Sequence, residues 1–109
     1  MPTDVIVCID GLATGTGTEI PVTSFDRVGW SVVTSAGVSA GVVAFEWAQT
    51  SGYAGTWANI ESITAAAAST AYMGTVSDVV AGFVRPRITT NITGGTVIVT
   101  VSRSNIGHY

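Results

Sequence analysis

Apolar and polar side chains alternate along much of this chain, and an alternation of period two is the pattern of a half-buried β-strand. The most regular example is residues 96–103, where valine occupies every second position from 97 to 101. The residues between the valines are predicted to point to the opposite face: Ile98, Thr100 and Ser102. Residues 83–90 repeat the pattern, with one face formed by Val84, Pro86 and Ile88 and the other by Phe83, Arg85, Arg87 and Thr89.

Turn-forming residues separate further runs that are rich in valine, isoleucine and threonine, as expected for short strands. These runs are residues 4–9, 19–25, 28–34, 41–49, 56–63 and 72–80. In the clearest of them, Val43, Phe45 and Trp47 share one face and Glu46 and Ala48 lie on the other. Together the runs predict an all-β fold: a single-domain antiparallel β-sandwich, jelly-roll-like, of about seven or eight strands.

Three segments depart from the regular pattern. The run 19–25 contains Pro21, which predicts an edge position or a strand start. Residues 64–70 include four consecutive alanines and are the one place where a helical turn is expected. Residues 1–18 combine an apolar strand with a flexible Gly/Thr stretch, ahead of the sandwich domain of residues 19–109. The first strand could extend as an arm onto a neighbouring subunit, or it could pair within its own sandwich.

Composition adds a constraint on the surface. Eleven of the 109 residues are charged and none is lysine, so the charged share is 10% where about 25% is usual. A compact chain of 11.1 kDa exposes about 5,600 Å², or about one charge per 500 Å². Interspersed charge and edge lysines normally keep β-proteins apart. We therefore expect partners to cover much of this surface.

The same inventory argues against several function classes. A net charge of −3 with four arginines gives no basic surface for nucleic acid. No segment approaches 18 apolar residues and no signal peptide is recognisable, so no membrane association is expected. Cys8 lies in an apolar run and is expected to be a buried thiol. The single histidine, His108, is next to the last residue, and the carboxylates show no ligand spacing. We expect no catalytic residue, no metal and no cofactor, and therefore no enzyme.

The aromatic residues allow two interpretations. Trp30, Trp47, Trp57, Tyr53 and Tyr72 could stack on sugar rings, as in a carbohydrate-binding module. Alternatively they fill the core, which is the expectation for Phe45 and Trp47.

Four residues are the candidates for an interface. Tyr53, between glycines on a predicted loop, is a candidate for an external contact, and Trp57 fits either role. Arg85 and Arg87 share a strand face and are expected to pair with acids, either on the outer face or across an interface.

Four pieces of the chain, in order, resemble small β-sandwich virion proteins of tailed bacteriophages. They are the segment 41–47 with Phe45-Glu46-Trp47, a loop ending at Thr56-Trp57, the segment 82–88 with Arg85 and Arg87, and the valine ladder after Gly95. The resemblance covers residues 28–103. Pro86 departs from the family pattern and predicts a strand that is kinked or near an edge.

The resemblance implies a non-catalytic structural role. Together with the sparse surface charge it favours a capsid decoration (cement) protein that stabilises the head shell. Such a protein forms a homo-oligomer, with a trimer favoured, and its partner is the major capsid protein. Its location would be the capsid surface of the virion, assembled in the host cytoplasm. The alternative is a carbohydrate-binding module of a phage tail or fibre that uses Tyr53 and Trp57.

Overall fold

The computed structural model describes residues 3–23, 25, 27–77 and 81–104, which form nine β-strands and no helix. The strands are β1 (Thr3–Leu12), β2 (Gly15–Thr16), β3 (Ile20–Pro21), β4 (Arg27–Thr34), β5 (Ala40–Ala48), β6 (Ala58–Thr64), β7 (Ala71–Ser77), β8 (Phe83–Thr93) and β9 (Val97–Ser104). The helical turn expected in residues 64–70 is not present: Thr64 ends β6, and residues 65–70 form a bend and a turn.

The strands form two antiparallel sheets packed face to face. We name as sheet A the order β1-β9-β4-β7, and as sheet B the order β2-β8-β5-β6, in which β3 also pairs with β8. The predicted all-β sandwich is therefore confirmed. The short strands β2 and β3 together cover one side of β8, so sheet B has an interrupted edge there.

Period-two alternation places the core between the sheets. The valines of β9 are buried completely or nearly so, while Ile98 between them is 41% exposed. On β8, Val84, Pro86 and Ile88 are buried, as predicted. Strand β5 contributes Val43 and Phe45 to the core, with Trp47 packed against it. Burying a valine or phenylalanine side chain stabilises the fold by about 1.5–3 kcal/mol each, so this inner layer dominates the favourable energy.

The prediction for residues 19–25 was wrong in extent, because among the residues of this segment that the structure describes only Ile20–Pro21 form a strand. Val22 turns inward and is fully buried, and its backbone N–H donates to Gly82 O at 2.9 Å, outside any ladder. Pro21 does lie at the sheet edge, as expected. The stretch 11–18, expected to be a flexible loop, contains β2. A strand of two residues is too short to give a recognisable sequence pattern, so β2 could not be predicted.

Pro86 sits inside β8, opposite Phe45 of β5. In an antiparallel ladder the N–H and C=O of one residue point to the same side. The carbonyl of Pro86 accepts a hydrogen bond from Gly17 N at 2.8 Å, so its missing N–H faces the interrupted edge between β2 and β3. A side chain at Gly17 would collide with Pro86 and Ile9. Proline is tolerated here because the edge is irregular at that point.

Strand β1 pairs with β9 of the same chain along its length, with two register shifts, after Val7 and after Asp10. Exchange of this strand between copies stays a prediction. Cys8 lies at the first irregularity and is buried, as predicted. Burial raises the pKa of the Cys8 thiol to about 11, although a backbone hydrogen bond involving Val101 opposes the shift. The thiol is therefore protonated at neutral pH.

An aromatic contact links the two sheets near the β6 edge of sheet B and the β7 edge of sheet A. Trp30 of β4 stacks on Phe45 of β5, with ring centroids 4.6 Å apart and planes at 11°. The indole Nε1 of Trp30 donates to Glu61 Oε1 on β6 at 2.5 Å. Gly74 of β7 pairs with Trp30 and leaves the space that the indole and carboxylate occupy. The hydrogen bond spans from one sheet to the other and satisfies a buried N–H.

Replacement of Gly74 by alanine tests this contact. The new Cβ would overlap both Glu61 Oε1 and Trp30 Nε1, so we expect Gly74→Ala to lower the free energy of unfolding by about 1–3 kcal/mol, as overpacking does. Urea denaturation followed by tryptophan fluorescence measures it. The matched control is Gly29→Ala on the adjoining strand, where the nearest atom is a serine hydroxyl at 3.1 Å. Equal stability of the two variants would contradict the expectation.

Candidate functional site

The outward side of sheet B carries a charged cluster built on two neighbouring strands. Glu46 of β5 lies opposite Arg85 of β8, and Arg87 is the next outward residue on β8. Arg87 binds the Glu46 carboxylate in bidentate fashion. Its Nη2 donates to Oε2 at 2.8 Å, and its Nε donates to both oxygens at 3.1 Å. Arg85 Nε donates to Oε1 at 3.2 Å. The expected pairing of both arginines with an acid on the outer face is present in the fold.

Electrostatics keep this carboxylate ionised although it is only 4% exposed. Burial alone raises the pKa of Glu46, but the hydrogen bonds and charges of Arg87 and Arg85 outweigh it and leave the pKa below its usual value. The bond to Glu46 in turn raises the pKa of Arg87, against a smaller opposing effect of burial. The cluster is thus a closed ion-pair network with one surplus positive charge.

The loop between β5 and β6 packs onto this cluster. The Arg85 guanidinium lies over the Trp57 ring, 4.0 Å from its centroid, in a cation–π contact. Trp57 is buried, and its Nε1 donates to the carbonyl of Tyr53 at 2.9 Å. The Tyr53 ring lies against Gly55, where an added Cβ would require the ring to move. Tyr53 itself remains 46% exposed. We call Tyr53, Trp57, Arg85, Arg87 and Glu46 the sheet B cluster.

Glu19, in the segment between β2 and β3, also holds the loop between β5 and β6 in place. Its carboxylate accepts hydrogen bonds from Ser51 Oγ at 2.5 Å and from the backbone N–H of Gly52 at 3.0 Å. These bonds, the Ser51 hydroxyl first, lower the pKa of Glu19. The loop is therefore held at both ends by side chains that the sequence places far apart.

The four candidate interface residues predicted from sequence thus lie together on one face. Of these, Trp57 has its ring covered by Arg85 and is part of the packed structure, so it offers no open stacking surface. Trp30 is likewise buried, while Trp47 and Tyr72 are partly buried against the core. Tyr53 is the exposed member of the aromatic set proposed for sugar binding.

Sequence reasoning missed a second surface, the outward side of sheet A. Five of the large apolar side chains that are strongly exposed lie there, and we name this surface the sheet A face: Val5, Val7, Val33, Met73 and Ile98. The residues between them are small and uncharged, including Gly29, Ser31, Thr75, Thr100 and Ser102. The alternation of β4 and β9 could have indicated it, because their outward positions carry Val33 and Ile98. Only the strand order, however, brings them beside β1 and β7.

The described residues contain no group of three or more His, Cys, Asp and Glu side chains that could hold a metal ion. His108, considered above for catalysis, lies outside the described residues, as do the carboxylates Asp26 and Asp78. Glu46 and Glu61 are both engaged, with the arginine pair and with Trp30 respectively. Within the described chain there is also no helix with the length and apolar character needed to cross a bilayer.

Substitution of Glu46 tests the cluster. In Glu46→Gln the two guanidinium groups lose the carboxylate and repel each other, and we expect a loss of about 2–3 kcal/mol in the free energy of unfolding. This is below the range for a fully buried pair, because the Arg87 side chain is 42% exposed. The control is Gln49→Ala, at an exposed position just after β5. Urea midpoints at pH 7 measure both, and equal midpoints would contradict the expectation.

The same variant gives a pH signature. The folded-state pKa of Glu46 lies below the unfolded value of about 4.3. The contribution of ionised Glu46 to the free energy of unfolding is therefore complete at pH values above the unfolded pKa. It is lost as the pH falls through the folded pKa. We expect the difference in unfolding free energy between wild type and Glu46→Gln to narrow below about pH 4. Denaturation from pH 7 to pH 2 checks this, and a constant difference would show that the ion pairs contribute nothing.

Comparison with known proteins bears on the fold. No protein-family model and no curated protein sequence matches the chain. Among solved structures, the chain is similar to the SPBc2 prophage-derived protein YomS, with a TM-score of 0.65 and 12% identity over 94% of this chain and 92% of that one. It also aligns to a Bacillus endospore appendage structure, described as a novel family of disulfide-linked pili, with a TM-score of 0.45 and 17% identity over 95% and 88% of the two chains. The first similarity shows that this sandwich occurs in a prophage-derived protein.

Proposed function

We propose that this chain is a non-catalytic structural protein of a phage virion, a capsid decoration or cement subunit that binds the head shell and other copies of itself. Its partners would be the major capsid protein and its own chain, with a trimer as the favoured number from the family resemblance. Its location would be the capsid surface. The resemblance in residues 28–103 and a fold shared with a prophage-derived protein support this class.

The observation that carries the proposal is the shortage of free charge on the surface. The chain exposes 5552 Å² and has eleven charged residues in all. Several are engaged inside the fold: Glu46 with Arg85 and Arg87, and Glu61 with Trp30. Arg103 also reaches the Pro21 carbonyl and lies over the Phe25 ring. The free charge is sparser than composition suggests, which favours a surface covered by neighbours.

A cement role needs only surfaces of the kind described above. The sheet A face offers apolar contact, and Tyr53 offers an exposed aromatic anchor of the type that dominates protein interfaces. The sheet B cluster fixes the loop that carries Tyr53, so that little conformational freedom is lost when it binds. No cofactor or bond-breaking step is required.

The carbohydrate-binding alternative has Tyr53 as its supporting feature. A sugar platform commonly uses the faces of aromatic rings, and the Trp57 ring is covered by Arg85. The alternative therefore has one exposed aromatic from its proposed pair. We place it second and treat it as an outcome of the experiment below.

The direct test uses phage heads from the genome that encodes the chain, assembled with and without its gene. We expect heads that lack the chain to release DNA at a lower temperature. Added purified chain should bind them with a saturating number of copies and restore stability. Tyr53→Ala should weaken this binding about tenfold, as loss of an aromatic hot spot does.

The matched control is Gln49→Ala, an exposed residue just before the same loop, which should bind like wild type. Absence of the chain from heads would reject the decoration role. Binding to a glycan array that is lost in Tyr53→Ala would support the carbohydrate-binding module instead. The genomic context offers an independent check, because a neighbouring capsid gene is expected and a neighbouring polysaccharide lyase gene is not.

A further inference from the structure

The register of sheet A arranges the sheet A face as a grid of outward side chains. One row across the sheet contains Val5, Ser102, Gly29 and Thr75, and the next contains Val7, Thr100, Ser31 and Met73. Val5, Val7 and Met73 are 67%, 53% and 79% exposed. The middle of the two rows is a shallow groove, because the serines and Gly29 are small between larger side chains on the outer strands.

Opposite charges stand at the two ends of this face. Arg27 of β4 belongs to the row beyond Ser102, where it pairs with Ser104. Asp10 of β1 belongs to the row at the other end, beside Ile98. Both side chains are exposed, and neither forms an ion pair within the described part of the chain. They lie about 20 Å apart along the strands and about 10 Å across them.

We propose that the sheet A face is a self-complementary interface, on which a second copy of this chain packs face to face about a two-fold axis. Such an axis exchanges the two ends of the face, so Arg27 of each copy meets Asp10 of the other. The axis passes over β9 between Ser102 and Thr100, which is the floor of the groove. The uncharged rows between the two charged ends then pack against each other.

Charge and area select a second copy as the occupant. A surface with one cation at one end, one anion at the other and no charge between them is complementary to itself. An isologous contact uses each pair twice. The molecule measures 44 × 31 × 18 Å, and its broad side can supply the roughly 800 Å² per partner that a stable interface buries. Facing sheets pack at about 10 Å, a distance that small outward residues allow.

This inference stands apart from the decoration role, and the two can fail separately. Two-fold pairing gives even numbers of copies. If a three-membered ring also forms through other surfaces, the assembly contains six copies. A mass of three copies would overturn the face-to-face pairing while leaving the decoration role intact. A dimer that binds no phage head would overturn the decoration role and leave the face-to-face pairing intact.

The test is a charge exchange read by sedimentation equilibrium and multi-angle light scattering. Wild type is expected at twice 11.1 kDa, or at a larger even multiple. Asp10→Arg and Arg27→Asp each place like charges opposite each other, and each should raise the dissociation constant about tenfold or more. The double variant Asp10→Arg/Arg27→Asp restores the opposite charges and should return the dissociation constant to near the wild-type value.

A second variant tests the apolar rows. Met73→Lys puts a charge on an exposed edge-strand position, so the fold should be retained while pairing is lost. Thr89→Lys, an exposed position on sheet B, is the control and should leave pairing unchanged. A wild-type monomer at all concentrations, failure of the double variant to recover, or equal effects of Met73→Lys and Thr89→Lys would each overturn the proposal.

Discussion

The burial of the β9 valines between two sheets is the contact on which the rest of the molecule depends. Strand β9 lies between β1 and β4, and its inward side chains are enclosed almost completely. Successive residues of a strand point to opposite sides, so the residues between the valines form the outward side of β9. They are Ile98, Thr100 and Ser102, and the strand therefore contributes both to the core and to an uncharged outward surface.

Charge in this chain serves internal structure more than solubility. The carboxylate of Glu46 organises Arg85 and Arg87, and Arg85 in turn lies over Trp57 beneath the loop that presents Tyr53. An ion pair on a buried carboxylate rarely adds much net stability compared with apolar packing, and here its hydrogen bonds hold the two arginines in one arrangement. The outward surfaces of the two sheets therefore differ. On sheet B the charged groups pair with each other, whereas on sheet A apolar side chains are exposed.

Sequence reasoning recovered the features that depend on local alternation. The inward and outward sides of β5, β8 and β9, the buried Cys8 and the arginine–acid pairing were all predicted. Strand β2 and the short extent of β3 were not, since two-residue ladders carry no periodic signal. The sheet A face was also missed, because it depends on which strands are neighbours. Val5 and Met73 are far apart in the chain, and only the pairing of β1 with β9 and of β4 with β7 brings them to one surface.

The place of β9 in sheet A also has a consequence for biosynthesis. Strands β1 and β4 share no ladder with each other, and both pair with a strand formed by residues 97–104. Sheet A therefore cannot close until that segment has left the ribosome, however early its other strands emerge. Topologies with such high contact order fold slowly and leave strand edges uncovered meanwhile. A chain with this topology would therefore benefit from a chaperone, or from rapid assembly with other copies of itself.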